Sequence, residues 1–256
     1  MTATAGRLAP FLLLCGLLAT TGSPASGEQD ARLAAQAEAE AGSRAWEAGD
    51  FLGAAEAFGR AAGLDPSRAA YAALRARSLG ELLVPADTSP ENLARLRTVV
   101  SIYDGLLAFE PANEEYAQAV PRLFEKVGDE AGREAWLRAR AANPALPPSA
   151  RAEALRAVAE PLLARAGREE TAGRSNEAGR LSERARALLD EAIGLFPGSL
   201  ACHALRLHGL ALEIALAREA EDDGRRARLE ALRARARRAA DTAVARHPTL
   251  PSPDDY

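Results

Sequence analysis

Apolar positions along this chain recur at spacings of three and four, and almost no segment shows the two-residue alternation of a strand. The stretch GDFLGAAEAFGRAAGLDP, Gly49 to Pro66, states the pattern most clearly. A Gly-Asp turn opens a helix, and Ala54, Phe58 and Ala61 follow on one face. Leu64 closes the stripe, and Pro66 stops the helix because it disfavours helical geometry at Asp65. Small residues hold positions where leucine would bury more surface. Gly42 stands in the preceding helix, ARLAAQAEAEAGSRAWEA. Gly42, Ala54 and Ala61 together let two antiparallel helices approach closely while Phe58 fills the space beside them.

Helix-then-proline endings recur. LLAFEP ends at Pro111, ARAANP at Pro144, IGLFPG holds Pro197 and AVARHP ends at Pro248, so with Pro66 there are five, separated by 45, 33, 53 and 51 residues. Inserted loops or longer helices would explain the wider intervals. In the second unit AAYAALRARSLGELL reads as a helix and VPADTSP as an inserted surface loop whose removal should be tolerated. Ser89 then caps a new helix with Pro90 in its first turn. The fourth unit reads as two helices joined by a polar insert, GREETAGRSNEAG, with a kink at Pro161. The fifth pairs SLACHALRLHGLALEIALAREA with a long arginine-rich helix after EDDG. The count is ten helices in five pairs.

Gly42, Gly49-Asp50, Phe51, Ala54, Phe58, Ala61, Leu64 and Pro66 fall at the spacings of the tetratricopeptide repeat, a 34-residue helix–turn–helix unit, and residues 35–68 resemble one copy of it. The match departs at Ala41 and Ala45, where larger residues are usual, with Trp46 one place later. The resemblance implies an all-α fold, a right-handed α-solenoid of about five pairs, whose concave groove takes extended or helical peptides. In that register the groove-facing candidates are Gln36, Ala39, Ser43 and Glu47 in the first unit, Arg77 in the second, and Gln118 and Arg122 in the third. Members that clamp a partner's terminal carboxylate carry a lysine and asparagines at first-helix positions. Here those places hold Ala39, Glu40 and Ser43, and Glu40 would repel a carboxylate.

Composition agrees with a thin helical layer: 48% of the 256 residues are apolar, but much of that is alanine and only 5% is aromatic. Arg7 followed by the apolar run Leu8 to Thr20 and then TGSPASG reads as an export signal cut after Ala25. The run is shorter than the ~20 residues that span a bilayer. Leu12, Leu13 and Leu14 stand where a lipidation signal at Cys15 would want small residues, which argues against a lipoprotein. The expected organisation is therefore a signal peptide over 1–25, a repeat domain over 30–248 and a flexible tail over 249–256, in a protein that is periplasmic or secreted. Cys202 is then the one remaining cysteine, so no internal disulfide is available. The balance is mildly acidic, 32 basic against 36 acidic residues, which gives no global case for nucleic acid.

Catalytic signals are thin. His203, His208 and His247 are the histidines, and CHALRLH superficially suggests a metal site. On one helix, however, His203 and His208 point about 140° apart and Cys202 and His208 about 120° apart, so three ligands cannot converge. The expectation there is a buried cysteine with half-exposed histidines. No glycine-rich loop follows a strand and no serine sits in a nucleophile elbow. The sequence therefore predicts no enzyme, no metal and no cofactor. GRRARLEALRARARR, Gly224 to Arg238, has seven arginines and one glutamate around the apolar stripe Leu229, Leu232, Ala236 and Ala240. It reads as a solvated end-cap helix or as a weak contact for an anionic membrane surface. The leading expectation is an exported adaptor that binds a protein or peptide in its groove, resembling the helical-repeat accessory proteins of bacterial secretion and outer-membrane assembly. The alternative is an envelope-associated structural protein that contacts anionic lipid or polysaccharide through the arginine helix.

Overall fold

The computed structural model describes residues 24–246. The leader-like run, Cys15, Pro248 and the carboxyl tail lie outside the described residues. Among the described residues ten helices follow one another: α1 (Pro24–Glu47), α2 (Phe51–Leu64), α3 (Ala69–Glu81), α4 (Pro90–Phe109), α5 (Glu114–Val127), α6 (Glu130–Ala142), α7 (Pro148–Thr171), α8 (Ser175–Leu195), α9 (Leu200–Glu219) and α10 (Asp223–Arg246). Among the described residues there is no strand. Each helix packs on the next along the whole chain, and α7 also touches α9. The result is an all-α solenoid of five helix–turn–helix pairs.

Two kinds of turn, each with a local chemical cause, alternate between the helices. Within four pairs the first helix ends in a residue at positive φ: Gly49 at 77°, Gly128 at 85°, Gly173 at 72° and Glu221 at 53°. The next N–H reaches back five residues to a carbonyl of the last helical turn: Asp50 to Ala45 at 2.9 Å, Asp129 to Phe124 at 3.0 Å, Arg174 to Glu169 at 2.8 Å and Asp222 to Ala217 at 3.0 Å. This is the Schellman closure, which satisfies carbonyls that the helix end leaves unpaired. Asp50 and Asp129 then cap the following helix through Gly53 N–H and Gly132 N–H, each at 2.9 Å. The motif Gly-Asp-x-x-Gly is thus present twice, at Gly49 and again at Gly128, so the third pair carries a second copy of the intra-pair turn.

Between pairs the proline exits all do the same thing. The residues before Pro66, Pro111, Pro144 and Pro197 leave helical geometry, as with Asp65 at φ −131°, ψ 81° and Phe196 at φ −139°, ψ 85°. Each proline then occupies the second place of a four-residue turn. The closing bonds run from Arg68 N to Asp65 O (3.3 Å), Asn113 N to Glu110 O (3.0 Å), Leu146 N to Asn143 O (3.2 Å) and Ser199 N to Phe196 O (3.1 Å).

The unequal proline spacing has two causes. Between α3 and α4 the chain makes an added loop, and the wider intervals of the fourth and fifth units come from helix length. Residues 167–179, expected as a polar insert, are helical except for the turn 172–174, with α7 running through to Thr171. Nor is the α3–α4 loop a loose surface insert. Asn92, 2% exposed, donates to Val84 O at 3.0 Å and Asp87 O at 2.7 Å and accepts from Val84 N at 3.0 Å. Ala86 N donates to Lys126 O at 2.8 Å, and the Lys126 ammonium reaches Gly80 O at 2.9 Å. Deleting residues 84–89 would strand these groups, so tolerance is no longer the expectation.

Helix α7 continues through Pro161. A proline frees the carbonyl four residues earlier, and here Ala157 O accepts a bond from Arg133 Nη2 of α6 at 3.1 Å.

Packing follows the small-residue logic of the first pair. A side chain added at Gly42 would lie 2.9 Å from the Phe58 ring, and Ala54 and Ala61 are fully buried. Gly80 of α3 approaches Leu123 of α5, and Gly209 of α9 approaches Leu163 of α7, each leaving 3.1 Å to an added Cβ. There is no single thick centre. The buried apolar residues form separate clusters around Ala35, Ala61 and Tyr71, around Leu96, Val99 and Val120, around Leu155, Leu163 and Leu189, and around Leu210, Ile214 and Leu229. Trp136 packs against the second and the third. Among the described residues α9 alone is long and apolar enough to cross a membrane. Here it lies between α8 and α10 with Cys202, Leu210 and Ala217 buried.

Candidate functional site

The first three pairs place a ladder of aromatic and charged side chains across one another. Trp46, in the last turn of α1, meets the Phe51 ring of α2 edge-on, with centroids 5.0 Å apart. The Arg77 guanidinium of α3 lies over the Trp46 ring at 5.4 Å. Next stands Tyr103 of α4, 8% exposed, with its ring 6.0 Å from that of Tyr116 on α5. Burial pushes the Tyr103 hydroxyl up, Glu115 adds to that, and Arg77 opposes it. Burial also pushes up Tyr116, assisted by Glu110 and Glu115. Among groove candidates Arg77, itself exposed, is the one stacked on an aromatic ring.

Of the remaining candidates, Gln36, Ser43, Gln118 and Arg122 are exposed and locally tied. Gln36 donates to Glu40 at 3.1 Å, Ser43 donates its hydroxyl proton to Ala39 O at 3.0 Å, and Arg122 donates to Gln118 at 3.4 Å. Ala39 is half-buried, packed on the Ala35, Ala61 and Tyr71 cluster, and Glu47 is exposed at the end of α1. Glu115, Gln118 and Arg122 stand at i, i+3 and i+7, so they share one stripe of α5 beside the ladder. Trp46, Tyr103, Glu115 and Tyr116 were not among the sequence candidates. Two of them had a legible signal: Trp46 continues the 36, 39, 43 series at its next three-residue step, and Glu115 holds in the third unit the place of Gln36 in the first.

Two open hollows lie elsewhere. One of about 490 Å³ is lined by Leu52, Glu56, Gly59, Arg60, Arg75 and Leu79. The other, about 310 Å³, sits at the ends of α4 and α6. There Asp104 accepts from the Trp136 indole at 2.9 Å, and Arg140 donates to Pro111 O at 3.1 Å. Neither lining holds a serine, cysteine or histidine.

The CHALRLH stretch needs one correction. Cys202 is buried, and burial pushes its thiol up. His203, however, is not half-exposed: it is 2% exposed, with Nε2 2.9 Å from Pro197 O. It fastens the proline turn to α9, while His208 is exposed. Among the described residues no group of three histidine, cysteine or acidic side chains is arranged to hold a metal ion.

The last pairs contain a partly buried ionic chain, with Glu213 at its inner end. Glu213 of α9 is 1% exposed; Arg186 Nε of α8 stands 3.0 Å from its carboxylate and Ser182 donates to it at 3.4 Å. Arg186 also lies near Asp190, which Arg206 of α9 approaches at 2.5 Å. Burial holds the Glu213 carboxyl above the usual range, with Arg186 pulling the other way.

No family model matches this chain, and no curated protein matches it. Several solved structures do. The human IFIT1 dimer with m7Gppp-AAAA is 20% identical with a TM-score of 0.37, over 78% of this chain and 40% of that one. A monomeric IFIT1 mutant with Gppp-AAAA is 20% identical with a TM-score of 0.37, over 84% and 44%. Naa15/Naa10 bound to HypK-THB is 16% identical with a TM-score of 0.35, over 92% and 45%. This chain therefore spans less than half the length of each of these three chains.

Proposed function

We propose that this chain is an exported, non-catalytic docking scaffold built from degenerate tetratricopeptide-like pairs, and that it holds an extended protein segment along α1, α3 and α5. Trp46, Arg77 and Tyr116, which keep solvent contact on α1, α3 and α5, carry the reading, with the buried Tyr103 of α4 packed behind Tyr116. Aromatic faces and a guanidinium are the groups that concentrate binding energy at protein contacts. Beside them Gln36, Ser43, Glu47, Gln118 and Arg122 offer adaptable polar contacts at the rim. The two open hollows suit surface contact better than enclosure of a small molecule. The export assignment rests on the leader-like run at residues 8–20.

The test is site-specific photo-crosslinking in the envelope fraction. A crosslinker at Ser43, Gln118 or Arg122 should trap one and the same partner, and Arg77→Glu should remove that adduct. A crosslinker at Arg97 or Thr98, exposed on α4, should not trap it. Equal yields from α4, or an unchanged yield in Arg77→Glu, would refute the reading.

A further inference from the structure

The charge of the solenoid runs in one direction. Residues 24–68 carry eight acidic and four basic side chains, whereas residues 200–246 carry seven and ten. At the basic end, six of the eight arginines of α10 fall into two groups. Arg225 pairs with Glu183 at 2.6 Å, Arg226 with Asp223 at 2.8 Å and Arg237 with Asp241 at 3.1 Å. Arg228, Arg235 and Arg238 are exposed and have no acidic partner among the described residues. With Ala231 between them they stand at i, i+3, i+7 and i+10, a single strip away from Glu230, with Asp241, the partner of Arg237, one turn beyond its end. The apolar face of α10, Leu229, Ala236, Ala240 and Ala243, is already buried.

At the acidic end, α1 turns a matching strip outward. Asp30, Leu33, Ala37 and Glu40 repeat the same steps of three, four and three, and all four are exposed, Leu33 at 58%. Ten residues of helix cover about 15 Å, so the charges at the two ends of each strip are equally far apart. Leu33 in the middle of one strip faces small Ala231 in the other when the helices are laid together. Arg44 is the one base that continues the α1 face.

We infer that the arginine strip of α10 docks on the α1 strip of a second copy of this chain, end to end along the solenoid. Asp30 and Glu40 then meet Arg228 and Arg238, and Leu33 gains apolar cover. The contact is heterologous, so it propagates into chains or closes into a ring. Because the pairs are exposed, the association is weak and salt-sensitive.

Sedimentation of the full chain tests this. Association should be seen at about 10 mM salt, where the Debye length is about 30 Å, and should weaken roughly tenfold or more towards 1 M, where it is about 3 Å. Clustering through the leader-like apolar run would be expected to resist or strengthen with salt instead, and that result would overturn the inference. The triple variant Arg228→Glu, Arg235→Glu, Arg238→Glu should remain monomeric at low salt, as should Asp30→Arg, Glu40→Arg. Mixing the two should restore a mixed assembly, because each now carries the other's charge. Failure of the mixture to associate, with both variants retaining full helicity, would overturn the proposal. So would loss of anionic-vesicle binding in the arginine variant with self-association unchanged, which would assign the strip to lipid.

Discussion

The α1–α2 seam and the α8–α9 seam share an apolar packing problem, but the second adds a run of ions to its apolar stretch of Ala185, Leu188, Leu189 and Cys202. The first is dry and close: Gly42 sits against the Phe58 ring, and Ala54 and Ala61 are sealed. The second has a line of charges, Arg206, Asp190, Arg186 and Glu213, running through it. Small residues that interlock at one register leave a strong mark on the sequence, because each position tolerates few side chains. Long flexible ions such as Arg186 and Arg206 can reach a partner from several positions, so they leave no fixed spacing to read in the sequence.

The largest expected effect breaks the dry seam. Phe58→Ala should cost about 3–5 kcal/mol, read by denaturant unfolding. Gly42→Ala alone should also destabilise, since its Cβ would lie 2.9 Å from the ring. That penalty should shrink in a Phe58→Leu background, and additive effects of the pair would contradict the close approach.

In the ionic seam, Arg186→Ala strands the Glu213 carboxylate and should cost about 2–3 kcal/mol; Arg186 keeps some solvent contact, which places it below a fully buried pair. The pH dependence gives a sharper test. Glu213 is held above its ordinary value of 4.5, so the folded state binds this proton more tightly than the unfolded chain. Its contribution is greatest below that ordinary value and is lost as pH rises through the raised one. Stability of the native protein relative to Glu213→Gln should therefore fall as pH climbs above about 4.5, measured by urea titrations across pH. A flat difference would show that Glu213 does not titrate there.

A smaller effect concerns the loop that divides α3 from α4. Asn92→Ala leaves Val84 and Asp87 backbone groups without their partner and should cost about 1–3 kcal/mol. The smallest should be a gain. Glu221 holds a positive φ where the three comparable turns have glycine, so Glu221→Gly should raise stability by about 1 kcal/mol. A loss would mean that the Glu221 side chain does more than close the turn.

Helix number and pairing were legible because proline and glycine act locally. A proline expels its predecessor from helical geometry wherever it stands, and Gly49 closes its turn without help from distant residues. The Gly128-Asp129-x-x-Gly132 copy was equally local, but α6 is one residue shorter than α2, so counting back from Pro144 hid it. The polar run 167–179 misled for a related reason. Its exposed residues resemble a loop in composition, yet they continue α7 and α8 on solvated faces with a single glycine turn between them.

The amino-acid sequence by itself determined ten helices, their order in pairs and the small-residue seam of the first pair. Each of these follows from steric effects within a few neighbouring residues. Only the tertiary structure decided that Arg77 covers Trp46 and Tyr103 meets Tyr116, that Lys126 and Asn92 tie down a loop, and that His203 and Glu213 are buried. Those outcomes depend on where separate helices meet, and a meeting point between distant residues has no local spacing to announce it.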